Sequence, residues 1–490
     1  MYLDAMADFD RVFFLLADGA RCDILDDLFR AGDMPNLARW IERGTNARAV
    51  SVFPSVTLAA YVPFVTGLFP GTANIPGLRW FDRATYASRR FSVAKFRNYY
   101  GFGSYLANRD LRAGVETLFE RVRPSVNIYS GVCRGAGLRT NKAYFIRVPI
   151  IAHFHRTGDW EPIDRRADAY LDHAIKSRAR AIFYAAMAID EYSHIHGSDG
   201  KRAIDAYRAI DARLGRIIRA LKNAGTFDQT LFVLSADHGH RPVTRHFDTE
   251  AFVEARGLKT LYYPKAARRY FRADAAALVA GNASGHIYLR HRTHGWSHPL
   301  SDGEVNAGEP GMISDLLANE AIEFVITRAE GGGALIRSHR GLARAFEGGG
   351  AFHYVVVDSD PFGFAPMPSR LSAEDALART WATPYPDAIV QTAQLFRSPR
   401  TGDIVLSSTL GHDLRARFER HEMKSGHGSL REEHIRVPLL SNACFPAGPI
   451  RTADVYPTML DLLGETPPDN LDGISRVVSP QQRSQRTTAA

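Results

Sequence analysis

Apolar runs without alternation recur along the chain, and amphipathic stretches separate them. The runs RVFFLLAD, AIFYAAMAID and TLFVLSAD end at Asp18, Asp190 and Asp237. Such runs are typical of parallel strands that are buried on both faces. The stretch MPNLARWIERG has Pro35 near its start and Gly44 after its end, and AIDAYRAIDARLGRIIRALKNAG is amphipathic, so both are predicted helices. Strands that alternate with helices predict an α/β layered fold with a mostly parallel central sheet.

The pattern changes between about residues 241 and 402. The stretch EGGGALIRSHRGLARAFEGGGAFHYVVVDSD has short β-like runs between glycine clusters, which predict hairpins. We therefore predict a discontinuous catalytic domain of residues 1–240 and 403–478, interrupted by a smaller α+β cap subdomain of residues 241–402. The run GDIVLSS is predicted as a strand, after which the chain re-enters the first domain. The polar segment 479–490 is predicted to be disordered.

Composition narrows the class of protein. Of 490 residues, 45% are hydrophobic and 23% are charged, which is ordinary for a globular protein. The three cysteines are far apart in sequence, so no disulfide framework is expected and a reducing compartment is favoured. The first residues are acidic, and no segment approaches 18 uninterrupted apolar residues, so we expect a cytoplasmic protein without a membrane span.

The simplest interpretation of the net charge of +8 is that the basic residues lie on a solvated surface. The basic residues are mostly arginines, and acidic residues are interleaved with them along the whole chain. A nucleic-acid-binding surface would concentrate the basic residues instead. We therefore expect no nucleic-acid polymer as a partner. The sequence does not indicate an oligomeric state.

The three aspartates that follow predicted strands are candidates for one site, because ligands of open α/β sheets bind at the carboxyl ends of strands. Alone, each could equally be a turn or helix-cap residue. Histidines accompany them: His238 follows Asp237 in SADHGH, and His194 follows Asp190 in DEYSHIHG. A further candidate, His427, lies between two glycines in KSGHGSL. Carboxylates and imidazoles are the ligands expected for zinc or a similar divalent ion.

The segment FPSVTLAAYVPFVTG places Thr57 where helical spacing could begin. A threonine hydroxyl is a poor nucleophile unless its proton is removed or a metal ion binds its oxygen. A helix start would supply N–H groups for an anionic substrate. From this segment alone, Thr57 is either a helix cap or a nucleophile.

Four motifs in this order resemble the nucleotide pyrophosphatase/phosphodiesterase (type I phosphodiesterase) branch of the alkaline phosphatase superfamily. They are FPSVTLAAYVPFVTGLFPG, DEYSHIHG, SADHGH and GHGSLREEHIRVPLL. The resemblance runs over nearly the whole chain apart from the insertion and the tail. It implies an alkaline-phosphatase-like three-layer sandwich that hydrolyses a small-molecule phosphodiester or pyrophosphate.

The resemblance also implies two divalent metal ions, usually zinc, with manganese as an alternative. One ion would be held by Asp190, His194 and His427. The other would be held by Asp18, Asp237 and His238, with Thr57 as both ligand and nucleophile. Thr57 would attack phosphorus to form a phosphothreonine, which water would then hydrolyse at the Asp190 site.

One departure from the family pattern bears on the substrate. The family has a phosphate-binding asparagine about 21 residues after the nucleophile, and Leu78 stands there in this chain. Asn74 or Arg79 could take its place, and an arginine would pair well with phosphate. A phosphomonoesterase or phosphonate hydrolase is therefore an alternative, as is an inactive binding protein on the same scaffold. A sulfatase is disfavoured because no cysteine lies in the required motif.

Overall fold

The computed structural model describes residues 8–42, 44–88, 95–100, 102–143, 147–262, 273–415, 422–446 and 448–477. The segment 479–490, predicted to be disordered, lies outside them. The central sheet has six strands, in the order Thr45–Val50, Arg436–Ser441, Thr230–Ser235, Arg11–Ala17, Ala181–Ala186 and Ser125–Ile128. The last four are mutually parallel, and Arg436–Ser441 is antiparallel to both of its neighbours.

The three apolar runs form the middle of this sheet, as predicted. Every residue from Val12 to Ala17 is buried. Because successive side chains of a strand point to opposite faces, both faces of the sheet are covered. The layered α/β architecture follows from this double burial.

Helices are distributed along the whole chain, and both helices predicted from spacing are present, as Pro35–Ile41 and Lys201–Asn223. The other α-helices of the described residues are Cys22–Ala31, Val62–Thr66, Pro70–Ala73, Arg83–Ser88, Ala107–Asp110, Leu118–Arg121, Arg147–Thr157, Glu161–Lys176, Ala188–His196, Thr249–Ala255, Asp302–Gly308, Met312–Leu317, Ala373–Thr380, Ala388–Leu395, Glu432–Ile435 and Val455–Leu462. Short 3₁₀ helices span Phe102–Leu106 and Thr452–Asp454. None of the helices in the described ranges is long and apolar enough to cross a lipid bilayer.

A second sheet has nine strands and is antiparallel except for its first pair. Its order is Thr260–Leu261, Ala275–Ala280, Ser284–Leu289, Ile404–Ser408, Ile322–Arg328, Ala334–Ser338, Gly341–Gly348, Ala351–Val356 and Arg370–Leu371. Three two-stranded pairs complete the β-structure: Arg79–Phe81 with Phe96–Asn98, Arg241–Pro242 with Ser425–Gly426, and Arg245–His246 with His412–Asp413.

The run GDIVLSS forms the strand Ile404–Ser408, as predicted. This strand pairs with Ser284–Leu289 and Ile322–Arg328 in the middle of the second sheet. A short buried run has the same composition in either sheet, so the sequence could not assign its partners. The division into a catalytic domain and a cap subdomain stays a prediction.

The two sheets share hydrophobic and ionic contacts. Val52 and Phe53, from the segment before Thr57, pack in one buried cluster with Phe324 and Ile326 of the second sheet. Within the same interface, Arg451 donates two hydrogen bonds to Asp387, with Nε 2.8 Å from Oδ2 and Nη2 2.7 Å from Oδ1. Both side chains are fully buried, with 1% and 0% exposed.

We expect Asp387→Asn to destabilise the fold by about 3 kcal/mol, because Arg451 would keep a buried charge without its counterion. Asparagine suits this position otherwise, since it tolerates the left-handed backbone at φ 61°. The free energy of unfolding in urea measures the effect.

Glu161→Gln is the matched control, because Glu161 pairs with Arg165 on the exposed surface. It should change the free energy of unfolding by less than about 0.5 kcal/mol. An Asp387→Asn effect no larger than this would show that the buried pair does not stabilise the interface.

Candidate active site

Three buried aspartates meet at the carboxyl edge of the central sheet. Asp18 and Asp237 follow two adjacent parallel strands. Asp190 was predicted to end the third strand, but that strand ends at Ala186, and Asp190 lies in the first turn of the helix Ala188–His196. The prediction was wrong because the apolar run continues across the strand–helix junction. The aspartates still converge, since the three strands are neighbours.

The first cluster consists of Asp18, Asp237 and His238. His238 Nε2 lies 3.0 Å from Asp237 Oδ2 and 3.4 Å from Asp18 Oδ1. Both oxygens are buried and have no hydrogen-bond partner among the described residues. Burial, followed by the charges of Asp237 and Asp190, raises the pKa of Asp18 well above its ordinary value. This donor set could hold a divalent cation.

The second cluster consists of Asp190, His194 and His427. Asp190 Oδ1 lies 3.5 Å from His194 Nε2 and 3.6 Å from His427 Nε2. Burial alone would raise the pKa of Asp190, but interactions with His194, His240 and His427 hold it well below its ordinary value. Burial lowers the pKa of His427 well below its usual range, so this imidazole is neutral and can act as a ligand.

Backbone carbonyls fix the tautomers of the three predicted histidine ligands. Each Nδ1 atom lies within hydrogen-bond distance of a backbone carbonyl oxygen: His194 Nδ1 is 2.9 Å from that of Ser425, His238 Nδ1 is 3.2 Å from that of Gly239, and His427 Nδ1 is 2.8 Å from that of Ser55. A carbonyl oxygen only accepts, so each Nδ1 carries the hydrogen and each Nε2 presents a lone pair.

In the neutral rings those Nε2 lone pairs face carboxylate oxygens, which is unfavourable unless a proton or a metal ion lies between them. Burial lowers the pKa of His238, but the charges of Asp237 and Asp190 raise it overall. The residues therefore fit two divalent ions. The ligand atoms of Asp18, Asp237 and His238 converge at one position, and those of Asp190 and His427 converge with His238 and His240 at the other, whereas His194 is not within 4.8 Å of all of that second group.

The two clusters are held side by side by a ring stack. The imidazoles of His238 and His427 have centroids 3.4 Å apart and planes at 8°. One ring belongs to each cluster, so the two clusters are in direct contact. Paired ions about 3.5–4 Å apart are the arrangement used for in-line displacement at phosphorus.

His240 is a site residue that the sequence analysis missed. Its Nε2 lies 2.6 Å from Asp190 Oδ1, and its Nδ1 lies 2.8 Å from Ser425 Oγ. The 2.6 Å contact is a hydrogen bond from Nε2–H to the carboxylate, so His240 orients Asp190 rather than offering it a lone pair. The signal was present in the sequence, because His240 belongs to the quoted motif SADHGH.

Thr57 lies beside the first cluster. Its Oγ1 is 3.4 Å from His238 Nε2, and the side chain is buried. The predicted helix does not begin here: residues 57–61 form turns, and the helix spans only Val62–Thr66. Leu58 has φ 71°, a left-handed conformation that breaks the helical path. The helix-cap interpretation of Thr57 was therefore wrong.

The two predicted substrate-binding residues differ in position. Asn74 ends the helix Pro70–Ala73 with φ 64°, and its Oδ1 accepts a hydrogen bond from Ser398 at 2.7 Å. Its hydrogen bonds thus belong to the fold. Arg79 is buried, and its Nη1 donates to the carbonyl of Val279 at 3.0 Å.

Two tyrosines also contact the site, and the sequence analysis named neither. Tyr61 donates to Asp18 Oδ2 at 2.5 Å, and Tyr100 donates to Glu191, the residue after Asp190. Burial and the charges of Glu191 and Asp190 raise the pKa of Tyr100, whereas Arg79 lowers it.

A family model described as type I phosphodiesterase/nucleotide pyrophosphatase matches residues 12–330. No curated protein sequence matches the chain significantly. Among solved structures, phosphonoacetate hydrolase from Sinorhizobium meliloti 1021 in complex with phosphonoformate is 16% identical with a TM-score of 0.52, and the match covers 92% of this chain and 94% of that one.

An inactive threonine-to-alanine variant of murine ectonucleotide pyrophosphatase/phosphodiesterase 5, in complex with AMP, is 14% identical with a TM-score of 0.56. That match covers 97% of this chain and 99% of the murine chain. At these identities the likeness is one of fold, and it confirms the predicted alkaline-phosphatase-like α/β architecture.

The different roles of His194 and His240 can be separated by metal analysis. We expect His194→Ala to remove one ion per chain, because a ligand is lost. The variant His240→Ala should still bind both ions, but the affinity for one of them should fall by about 10–100-fold, since only the orienting hydrogen bond is lost. Metal counts after dialysis and competition with a chelator measure the two effects. The reverse order of severity would make His240 the ligand.

Proposed function

Because the chain belongs to the type I phosphodiesterase/nucleotide pyrophosphatase family, we propose that it hydrolyses phosphodiester or pyrophosphate bonds of a small-molecule phosphoester through a phosphothreonine on Thr57. Family membership makes the chain a phosphoric ester hydrolase with a bimetal site. The observation that carries the finer proposal is the position of Thr57 Oγ1, 3.4 Å from His238 Nε2. The same nitrogen faces the oxygens of Asp18 and Asp237 that have no hydrogen-bond partner.

The predicted ligand sets supply the charge that this chemistry needs. Asp190, His194 and His427 would hold one ion, and Asp18, Asp237 and His238 the other, with Thr57 as a further ligand. Zinc is the proposed metal, with manganese as the alternative, since imidazole and carboxylate suit both. When bound, the ions lower the pKa of the Thr57 hydroxyl and offset the negative charge that develops on the attacking and leaving oxygens.

The chain's own residues then act in two steps. Thr57 Oγ attacks phosphorus and gives up its proton to solvent, while the bond to the leaving oxygen breaks on the opposite side and its electron pair stays with that oxygen. Water that enters beside Asp190, His194 and His427 displaces Thr57 from phosphorus, which releases the product and restores the hydroxyl. Tyr61 holds Asp18 in place during both steps through its hydrogen bond to Oδ2.

The murine enzyme lends support to a threonine nucleophile, because its inactive form carries a threonine-to-alanine substitution. The intact ligand set speaks against the inactive binding protein considered from the sequence. A cytoplasmic location stays a prediction of the sequence analysis.

Thr57→Ala should lower kcat by at least about 10³-fold, because the nucleophile is lost. Metal content should stay nearly unchanged, because the charged and imidazole ligands remain. Stopping the wild-type reaction in acid should trap phosphate on the peptide that contains Thr57, and Thr57→Ser is the control that should retain part of the turnover. Full activity of Thr57→Ala would exclude the covalent route.

A phosphomonoesterase or phosphonate hydrolase is the second candidate, and Leu78 is the observation that favours it. This buried apolar side chain stands where the family has a phosphate-binding asparagine, and the guanidinium of Arg79 is next to it in sequence. A dianionic terminal phosphate or phosphonate gains most from an added positive charge. The phosphonoacetate hydrolase neighbour fits this candidate but does not favour it over the first.

Initial rates on a nitrophenyl diester and on the matching monoester separate the two candidates. We expect at least tenfold higher kcat/KM for the diester, because the diester lacks the second negative charge that would require a further cationic contact. Faster monoester turnover, abolished by Arg79→Gln but not by the exposed control Arg30→Gln, would establish the second candidate instead.

A further inference from the structure

A group of three histidines lies outside both clusters of the candidate active site. The loop after the strand Ser284–Leu289 has the sequence HRTHGWSH and carries His291, His294 and His298. Their ring centroids are 4.8, 5.7 and 5.6 Å apart in the pairs 291–294, 291–298 and 294–298. Two imidazoles on one tetrahedral zinc ion have ring centres about 5–6 Å apart, because each nitrogen lies ~2.0 Å from the metal. The ring centroids thus have the spacing found around one metal ion, but the donor atoms of these side chains do not all lie within 4.8 Å of one another, so the rings must turn to bind it.

Glu304 supplies a carboxylate to the same group. Its Oε1 lies 3.2 Å from His298 Nε2 and 3.9 Å from His291 Nε2. Its Oε2 accepts the backbone N–H of Ser301 at 2.8 Å in a capping box, which fixes the side chain at the start of the helix Asp302–Gly308. The backbone bond from Ser301 and the hydrogen bond from His298 hold the pKa of Glu304 below its ordinary value, so the carboxylate is charged.

The loop that presents the histidines is anchored on both sides. His291 and Gly295 exchange two backbone hydrogen bonds, of 2.9 and 3.0 Å. Trp296 is buried against Phe81 and Tyr86, with ring centroids 4.9 and 5.8 Å away. The imidazoles are left on the solvent side of a fixed turn. Little ordering is therefore needed when an ion binds.

His291 has a different role from the other two histidines. Its Nδ1 accepts the backbone N–H groups of Thr293 at 3.2 Å and of His294 at 3.0 Å. In the neutral ring Nε2 then carries the hydrogen, and it lies 3.9 Å from Glu304 Oε1, which is beyond hydrogen-bond distance. A small approach of the two side chains would let His291 orient the carboxylate, as outer donors do around ligated metals.

We propose that His294, His298 and Glu304 form an accessory site for a divalent transition-metal ion, with His291 as a positioning residue. His294 and His298 are partly or fully exposed, so their rings can turn to direct a nitrogen at the ion. Two imidazoles and one carboxylate select zinc, nickel or cobalt over magnesium or calcium. Three protein ligands leave one position for water or a ligand from another molecule.

Zinc counting on the full chain tests this site independently of the proposed reaction. After equilibrium dialysis against zinc, we expect His294→Ala/His298→Ala to bind one ion fewer per chain than wild type. The control His173→Ala/His339→Ala removes two exposed histidines elsewhere and should bind as many ions as wild type. Phosphodiesterase activity should be unchanged in both variants, because neither alters the active site.

Glu304→Gln gives a second test that preserves the fold, because glutamine also serves at this position of a capping box. We expect the affinity of the accessory site for zinc to fall at least tenfold. The midpoint of thermal unfolding, measured without metal, should stay the same. Equal zinc counts for His294→Ala/His298→Ala and its control would overturn the proposal and leave the loop as a surface turn.

Discussion

The candidate active site depends on one electrostatic constraint: Asp18, Asp190 and Asp237 are buried together at the ends of adjacent strands. Uncompensated charges in such a position cost several kcal/mol each. Hydrogen bonds from Tyr61 and His240 reach two of the carboxylates, but an oxygen of Asp18 and one of Asp237 have no hydrogen-bond partner among the described residues. Bound metal ions would supply the compensating positive charge, and the surrounding histidines are placed to bind them. Bound ions would therefore stabilise the charges of Asp18 and Asp237, whereas His194, His240 and His427 already stabilise the charge of Asp190.

The arrangement is maintained by chain segments that are remote in sequence. The ring of His427 is held by the carbonyl of Ser55, two residues before Thr57, which connects the proposed ligand of one cluster to the segment that carries the proposed nucleophile. Backbone also approaches this ring closely: a Cβ on Gly281, at φ 58°, would lie 2.7 Å from His427 Cε1. Glycine is required there both for space and for its left-handed conformation. The turn between the strands Ala275–Ala280 and Ser284–Leu289 of the second sheet therefore packs directly against the site.

Much of this could be predicted from the sequence, and the failures have physical causes. Uninterrupted apolar runs identified the central strands, and the histidines of DEYSHIHG, SADHGH and GHGSL have been brought together with the aspartates. The ends of strands were harder to predict, because the apolar run before Asp190 continues into a helix. Thr57 was assigned a helix start, whereas Leu58 adopts a left-handed turn that apolar spacing does not reveal. The role of His240 depends on a 2.6 Å contact across the fold, and the pairing of Ile404–Ser408 depends on partners more than 70 residues away in sequence.

The central position of Ile404–Ser408 has a consequence for how the protein is made. In the second sheet, Ile404–Ser408 lies between Ser284–Leu289 and Ile322–Arg328 and pairs with both. Until this strand has been synthesised, the strands on its two sides cannot form one sheet. Ser425 and His427 follow only about twenty residues later in the chain. During synthesis the sheet and the bimetal site would therefore close together and late, after most of the polypeptide has left the ribosome. A chain that ended before this strand would expose both an open sheet edge and unpaired aspartates. The protein would therefore become able to bind metal only after this late segment has been synthesised.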